Sequence, residues 1–338
     1  MNGKNSLSKS ITVIGGGPSG MMAAISAARQ GAAEVKILEK NDFLGRKLLA
    51  TGNGRCNLTN LNCSNANQTL DLFSEMGLLT RAEAEGRVYP YSEQASAVQE
   101  ILLNELLNLG VTIWCGKEVQ KIEKTDSGFQ ITINIEQNLY SEAIILATGG
   151  KAGPQYGATG DGYRYAKAFG HTIIRTMPSL VQFVSDSSFF RTLKGVRAKG
   201  TVELLREGKS VDHENGEIQF TEDGLSGICI LNLSKNYLKG DSVRIDLLPE
   251  YSEEALNDFF AQRIGLMGNR LLTEFLTGVF HKKLIPVLIM EAALDESKTA
   301  DRLTRDEIIK MVRLFKGWEI SITGTKGWKE AQVTAGGV

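Results

Sequence analysis

Cysteine and histidine are scarce in this chain, and neither is arranged for chemistry of its own. Its 338 residues hold four cysteines, Cys56, Cys63, Cys115 and Cys229, with no Cys-x-x-Cys pair, and three widely separated histidines, His171, His213 and His281. That pattern excludes a disulfide framework and a structural zinc site, and no bound metal is expected. Charge of one sign is lacking too: 38 Lys and Arg stand against 39 Asp and Glu, for a net charge of −1. There is no electrostatic reason to expect nucleic acid or an anionic membrane as a partner. Long apolar runs are missing as well. The start, Met1 to Ser10, is polar and the run after it spans only a few residues, too short for a signal peptide or a membrane span, so a cytoplasmic protein is expected. A second dinucleotide fingerprint is absent, as is a Gly-x-Ser-x-Gly elbow, since Gly224-Leu225-Ser226-Gly227 lacks the required glycine.

Glycine is plentiful, and it is placed with purpose. The segment Ile11 to Gly20 reads as strand, glycine turn and helix start, with Gly15, Gly17 and Gly20 fitting Gly-x-Gly-x-x-Gly. The first glycine makes the turn, the second lets backbone approach a pyrophosphate, and the third lets helix pack on strand. Phosphates would sit at the helix N-terminus beside Pro18 and Ser19, where free N–H groups and the helix dipole favour an anion. An alanine-rich helix over Met21 to Gln30, capped by Gly31, and a strand from Val35 to Leu38 complete the unit. Glu39 ends that strand 19 residues beyond Gly20, where a carboxylate can accept hydrogen bonds from both ribose hydroxyls of an adenosine. The glycines and Glu39 alone fit NAD as well as FAD.

A second glycine-rich stretch follows: Lys40, then Gly45-Arg46-Lys47, then Thr51-Gly52-Asn53-Gly54-Arg55-Cys56-Asn57. It cannot be a regular core element, and its amides and Asn side chains suit either a polar ligand or a solvent-exposed connection. Together these residues resemble the signature of the HI0933-like (BaiN and aminoacetone oxidase-like) FAD-dependent oxidoreductases. The resemblance extends to Ile144–Gly150, to Gly157–Tyr163, to Gly216–Thr221 with Gly224–Gly227, and to Ala331–Val338. Glu222 and Ile228 stand where the family often has histidine and proline, which puts any role of those family residues aside.

The resemblance implies an α/β architecture: a Rossmann-type FAD-binding domain over 10–180, returned to at 326–338, a β-rich, barrel-like middle domain over 181–250, and a helical subdomain over 251–325. It implies FAD as cofactor, with Val119 contacting adenine through backbone atoms, Ala147, Thr148 and Gly149 approaching the flavin, and Asp161 in the next loop. In the family, Gly336-Gly337-Val338 is followed by a Gly-Glu-x-x-Asp-x-x-Gly-type segment and a final helix. Nothing in this sequence replaces them, so a truncated gene product or fragment is expected.

Pattern supports the rest. Ser92 is expected to cap a helix carrying Val98, Ile101, Leu102, Leu106 and Leu109, followed by a strand from Val111 to Cys115. Ile131, Ile133 and Ile135 alternate as in an antiparallel meander before the run Ala143 to Ala147, and a helix is expected from Tyr163 to Phe169. Asp161 serves equally as an N-cap or turn residue, and Val119 equally as a plain strand residue. Six cations between Arg191 and Lys209 interleave with apolar residues at strand period, the pattern of a solvated sheet face. A helix is expected from Ile228 to Tyr237, and two helical stripes further on, Leu256/Phe259/Phe260/Ile264 after an N-cap at Ser252 and Ile308/Met311/Val312/Phe315.

The function expected is FAD-dependent oxidoreduction of a small organic substrate, either amine or aminoketone oxidation or reduction of an activated alkene with transient NAD(P)H. An NAD(P)-binding dehydrogenase and a flavin binder without turnover are the alternatives. Catalytic candidates are Lys47 and Arg55, as cations near a reduced flavin, with Cys56 more fitting as a packing residue and His171 more fitting as a helix-end residue. Oligomeric state is not legible.

Overall fold

A computed structural model describes residues 9–134 and 137–338. Most of the polar start, and Ile135 of the expected alternation, lie outside them. The chain divides into two compact units, Met1–Thr176 with Gly336–Val338, and Met177–Ala335. Among the described residues no helix is long and apolar enough to cross a membrane.

The first unit contains β1 (Ser10–Ile14), α1 (Pro18–Arg29), β2 (Glu34–Leu38), β3 (Thr59–Asn60), α2 (Ala66–Glu75), β4 (Thr80–Ala82), β5 (Arg87–Pro90), α3 (Ala95–Asn108), β6 (Thr112–Trp114), β7 (Val119–Lys124), β8 (Phe129–Ile133), β9 (Gln137–Ser141), β10 (Ala143–Leu146) and α4 (Asp161–Ala168). Strands β10-β1-β2-β6 form a parallel sheet, with Ile14 opposite both Leu38 and Leu146. Successive side chains face opposite sides of a strand. Val13 and Ile37 therefore pack with Met21, Ala24 and Ile25 of α1 and Val98 and Leu102 of α3, while Ile14 and Leu38 pack with Val119, Ile122, Ile131 and Ile133 of the meander β7-β8-β9. A sheet buried on both faces is what its nearly continuous apolar strands require.

One helix start differs from expectation. α3 begins at Ala95 with Gln94 as N-cap, because Glu93, at φ 55°, closes a turn through its N–H to the Pro90 carbonyl and holds Ser92 outside the helix. The small sheet β3-β5-β4 carries no signal long enough to have been read from the sequence.

β11 (Ile174–Ser179) leads into the second unit, which contains β12 (Phe183–Val184), α5 (Phe190–Leu193), β13 (Arg197–Arg206), β14 (Lys209–Phe220), β15 (Gly224–Ser226), α6 (Ile228–Leu233), β16 (Ser242–Asp246), α7 (Glu253–Met267), α8 (Leu272–Phe275), α9 (Leu284–Glu291), α10 (Arg305–Lys316), β17 (Trp318–Ser321) and β18 (Gly324–Thr325). The chain leaves it along β19 (Val333–Gly337), which pairs with β11. Seven antiparallel strands run β17-β16-β13-β14-β15-β12-β18. Val202 and Leu204 of β13 are buried, while Arg197 and Glu203 on its other face pair with Glu217 and Arg244, as a solvated face should.

Gly224 and Gly227 are dictated by crowding, since a Cβ there would stand 2.1 Å from the Phe183 carbonyl oxygen and 2.2 Å from that of Glu217. α6 stops at Leu233, short of the expected Tyr237, where Ser234 caps it and the Asn236 carbonyl turns out to accept from Arg206. Ser252 caps α7 by accepting the Ala255 N–H, and Thr304 with Glu307 forms a capping box on α10. Of the expected α7 stripe, Leu256 and Phe260 enter the core, while Phe259 stays exposed against the Arg263 guanidinium.

Candidate functional site

The glycine fingerprint lies where β1 meets α1. The Gly15 N–H donates to the Leu38 carbonyl at 2.8 Å and the Ala147 N–H to that of Ile14 at 2.8 Å, which locks the carboxyl ends of β1, β2 and β10 together. Gly15 sits at φ 104°, where a Cβ would lie 2.4 Å from the Ala147 oxygen; at Gly20 a Cβ would lie 1.9 Å from the Gly15 oxygen. Gly17 differs. No protein atom lies within 4 Å of a Cβ placed there, so its freedom serves whatever approaches from outside. Gly17 is also the N-cap of α1, with no side chain capping it and Pro18 in first position, so the helix end presents backbone alone.

Beside this turn is a cavity of about 240 Å³. Gly15, Gly17, Pro18 and Ser19 form one wall, Glu39, Lys40, Arg46 and Lys47 another, Ala147, Thr148 and Gly149 a third, and Val119 with Asp161 close it. Glu39 is 7% exposed. One of its carboxylate oxygens accepts the Gly16 N–H at 2.7 Å; the other accepts the backbone and side-chain N–H groups of Asn41 at 2.8 and 2.6 Å. Lys40 Nζ donates to Asp161 at 2.8 Å and to the Thr159 hydroxyl at 2.6 Å.

Asp161 is the first residue of α4, after the N-cap Gly160, so it is not itself the cap. Burial pushes its carboxyl upward, but hydrogen bonds from Lys40 and Thr159 outweigh burial and hold it below the ordinary carboxylate value. Burial lowers Lys47, whose ammonium donates to the Ala152 carbonyl at 2.8 Å. The Val119 carbonyl accepts the buried Tyr165 hydroxyl, which fixes the strand edge that lines the cavity.

The stretch Thr51 to Asn57 begins in the last residues of a distorted 3-10 helix, Leu48–Gly54, with Thr51, Gly52 and Asn53 out of helical geometry, and continues past the cap Arg55 as irregular chain. Its residues do not line this cavity. Gly52 (φ 57°) is needed there because a Cβ would meet the Asn57 nitrogen at 2.6 Å. The thiol of Cys56 is raised by burial, against a hydrogen bond with Thr51, and it packs in the first unit's apolar core. A thiolate is disfavoured in such a place. Arg55 lies over the Tyr89 ring at 4.0 Å and donates to Glu83 at 2.9 Å. His171 is exposed beyond the end of α4; its N–H closes on the Ala166 carbonyl while Gly170, at φ 89°, makes the helix-ending turn.

Sequence reasoning missed Asn41, Tyr156, Lys117 and Glu118 in the cavity wall. Asn41 had a usable signal, standing two residues after the strand-ending acid; the others arrive from distant segments.

This geometry tests FAD well. A bare helix N-terminus, a glycine whose missing side chain leaves free space, and a nearly buried carboxylate on the neighbouring strand are the donor set for an adenosine diphosphate moiety. Comparison with known proteins agrees. The HI0933-like protein Rossmann domain matches residues 9–68, and the HI0933-like protein barrel and H2TH domain matches residues 177–333. A 3-dehydro-bile acid delta(4,6)-reductase of Clostridium scindens is 36% identical over 97% of this chain and 86% of its own length. Ribosomal RNA dihydrouridine synthases of Haemophilus influenzae and Escherichia coli are 28% and 27% identical, each over 96% of this chain and 85% and 84% of their own. The chain belongs to the HI0933-like family of FAD-dependent oxidoreductases.

Proposed function

We propose that this protein reduces a carbon–carbon double bond conjugated to a carbonyl in a small organic substrate, with NAD(P)H as electron donor. The observation that carries the direction is that relatives with unlike substrates are named for one kind of change, a delta(4,6)-reductase and two dihydrouridine synthases, each adding hydrogen across a conjugated double bond. Reduction is thereby favoured over amine oxidation.

FAD, when bound, would supply hydride transfer between a reduced nicotinamide donor and an electron-poor carbon. The chain's own residues do the rest. Backbone N–H groups at the start of α1, beside Gly17 and Ser19, hold the pyrophosphate. Glu39, already oriented by Gly16 and Asn41, would offer a ribose hydroxyl the lone pair left on the oxygen that accepts from Gly16. Val119 would edge the adenine, and Ala147, Thr148 and Gly149 would leave room at the sheet end. Lys47, partly desolvated at the cavity wall, would supply positive charge toward a reduced ring, whereas Arg55, paired with Glu83 and held on Tyr89 outside the cavity, would not.

The test is anaerobic. The FAD-loaded protein is photoreduced and mixed with a conjugated enone such as a 3-oxo-4-ene steroid, with uridine and a uridine-bearing RNA in parallel, while the visible flavin band is followed. Reoxidation by the enone, with a product heavier by H2, is expected. A flavin that none of the conjugated acceptors reoxidises, but that admitted oxygen then does, would overturn the reading.

A further inference from the structure

The small sheet β3-β5-β4 carries a ladder of arginines and tyrosines outside the cavity described above. Arg87, Tyr89 and Tyr91 alternate along β5 and its extension, so they share one face. Arg81 of β4 lies directly opposite Tyr89 and places its guanidinium over the Tyr91 ring at 4.1 Å, while Arg55 lies over Tyr89 at 4.0 Å. The inner stack is sheltered, since Tyr89 is buried; the outer one is open, with Tyr91 53% exposed.

Each guanidinium faces one carboxylate: Arg55 faces Glu83 at 2.9 Å, Arg87 faces Glu85, and Arg81 faces Glu93 at 3.8 Å. Arg81 alone of the three has no hydrogen bond among the described residues. Glu85 and Glu93 both adopt positive φ, 60° and 55°, a conformation that costs energy in a non-glycine residue and sets where each carboxylate stands.

We infer that the Arg81–Tyr91 pair is the docking point for the phosphorylated adenosine end of the nicotinamide donor, with a preference for NADPH over NADH. The inference rests on the reductase reading above, because a donor without a Rossmann domain of its own needs a local anchor, and the fingerprint glycines belong to the FAD cavity. The chemistry of the pair is specific. A guanidinium lying over a ring can offer adenine a π-face and a phosphate its N–H groups. RNA is the less favoured occupant: the three acids match the three arginines, so the face lacks the summed positive field that holds a polyanion. From Arg81 the ladder runs inward to Arg55 and Tyr89, next to Gly52 in the second glycine-rich stretch.

The full-length, FAD-loaded protein is titrated calorimetrically with NADP+, NAD+ and adenosine bisphosphate carrying the ribose phosphate that distinguishes NADP+. Tighter binding of NADP+ than NAD+ is expected, with the bisphosphate competing. Arg81→Ala should weaken NADP+ about tenfold and NAD+ little, and Tyr91→Ala should weaken both about fivefold. Glu93→Gln should tighten NADP+, a gain that misfolding cannot produce. Equal binding of both nucleotides that Arg81→Ala leaves unchanged would overturn the assignment. So would a uridine-bearing RNA whose affinity follows Arg81 while that of NADP+ does not. Because these are binding measurements, failure of alkene reduction would leave an Arg81-dependent NADP+ isotherm standing.

Discussion

The two units bury their side chains for different ends. In the second, Phe183, Phe190, Phe220, Phe260, Phe275, Phe315 and Trp318 are almost wholly enclosed within one continuous core. In the first, the core is divided by the sheet into two smaller clusters, and the strand ends between them are given to glycine, to Glu39 and to an open cavity. Apolar area is what holds a domain together, at roughly 25 cal/mol for each Å² removed from water. The difference teaches that the first unit gives up packing where its cavity opens, at the ends of β1, β2 and β10. Substitutions should therefore separate, some reading out as stability and others as flavin retention.

The largest effect is expected at Trp318, whose ring stacks on Phe220 at 5.9 Å between centroids and whose N–H donates to Glu291 at 3.3 Å. Trp318→Ala should cost about 3–5 kcal/mol, seen as an earlier denaturation midpoint for the second unit. The FAD bound per folded molecule should stay the same; a parallel loss of flavin would break the separation. Next come the fingerprint glycines, which split the comparison within one turn. Gly17→Ala should leave the melting temperature unchanged and weaken FAD about a hundredfold, since the space its methyl fills is the ligand's. Gly15→Ala should lower both, because its methyl meets the Ala147 carbonyl. Equal melting temperatures for the two variants would sink this account.

The smallest effect concerns Asp161. Its carboxyl lies below the ordinary value in the folded protein, so its contribution is complete above the unfolded value and fades as pH falls through the folded one. Asp161→Asn should therefore lower stability at neutral pH and flatten the acid limb of the stability profile below about pH 4. Thermal melts of the two proteins against pH, followed by circular dichroism, check it.

Much of this division was legible in the residues. The fingerprint, the acid that ends β2 and the small residues after β10 are local patterns with a fixed physical purpose, and the cavity unites Gly15, Gly17, Glu39, Lys40, Val119, Ala147 and Asp161. What escaped was set by contacts between distant segments. Ser92 has the chemistry of a cap, yet the turn at Glu93 decides where α3 begins. Strands β3, β4 and β5 are too short for any periodicity, and the stacking of Arg55 on Tyr89 joins residues far apart in sequence. Phe259 and Phe260 look alike to a pattern, but adjacent positions on a helix point about 100° apart, and only one faces the core.

The pairing of β11 with β19 brings together the two ends of the long excursion that forms the second unit. While that excursion is folded, its own architecture keeps those ends near each other. When it is unfolded, holding them together costs loop-closure entropy, a cost that rises by only about 0.6 kcal/mol for each doubling of loop length but is met at every closure. Synthesis therefore reaches β19, the return to the first unit, only after the second unit has been made.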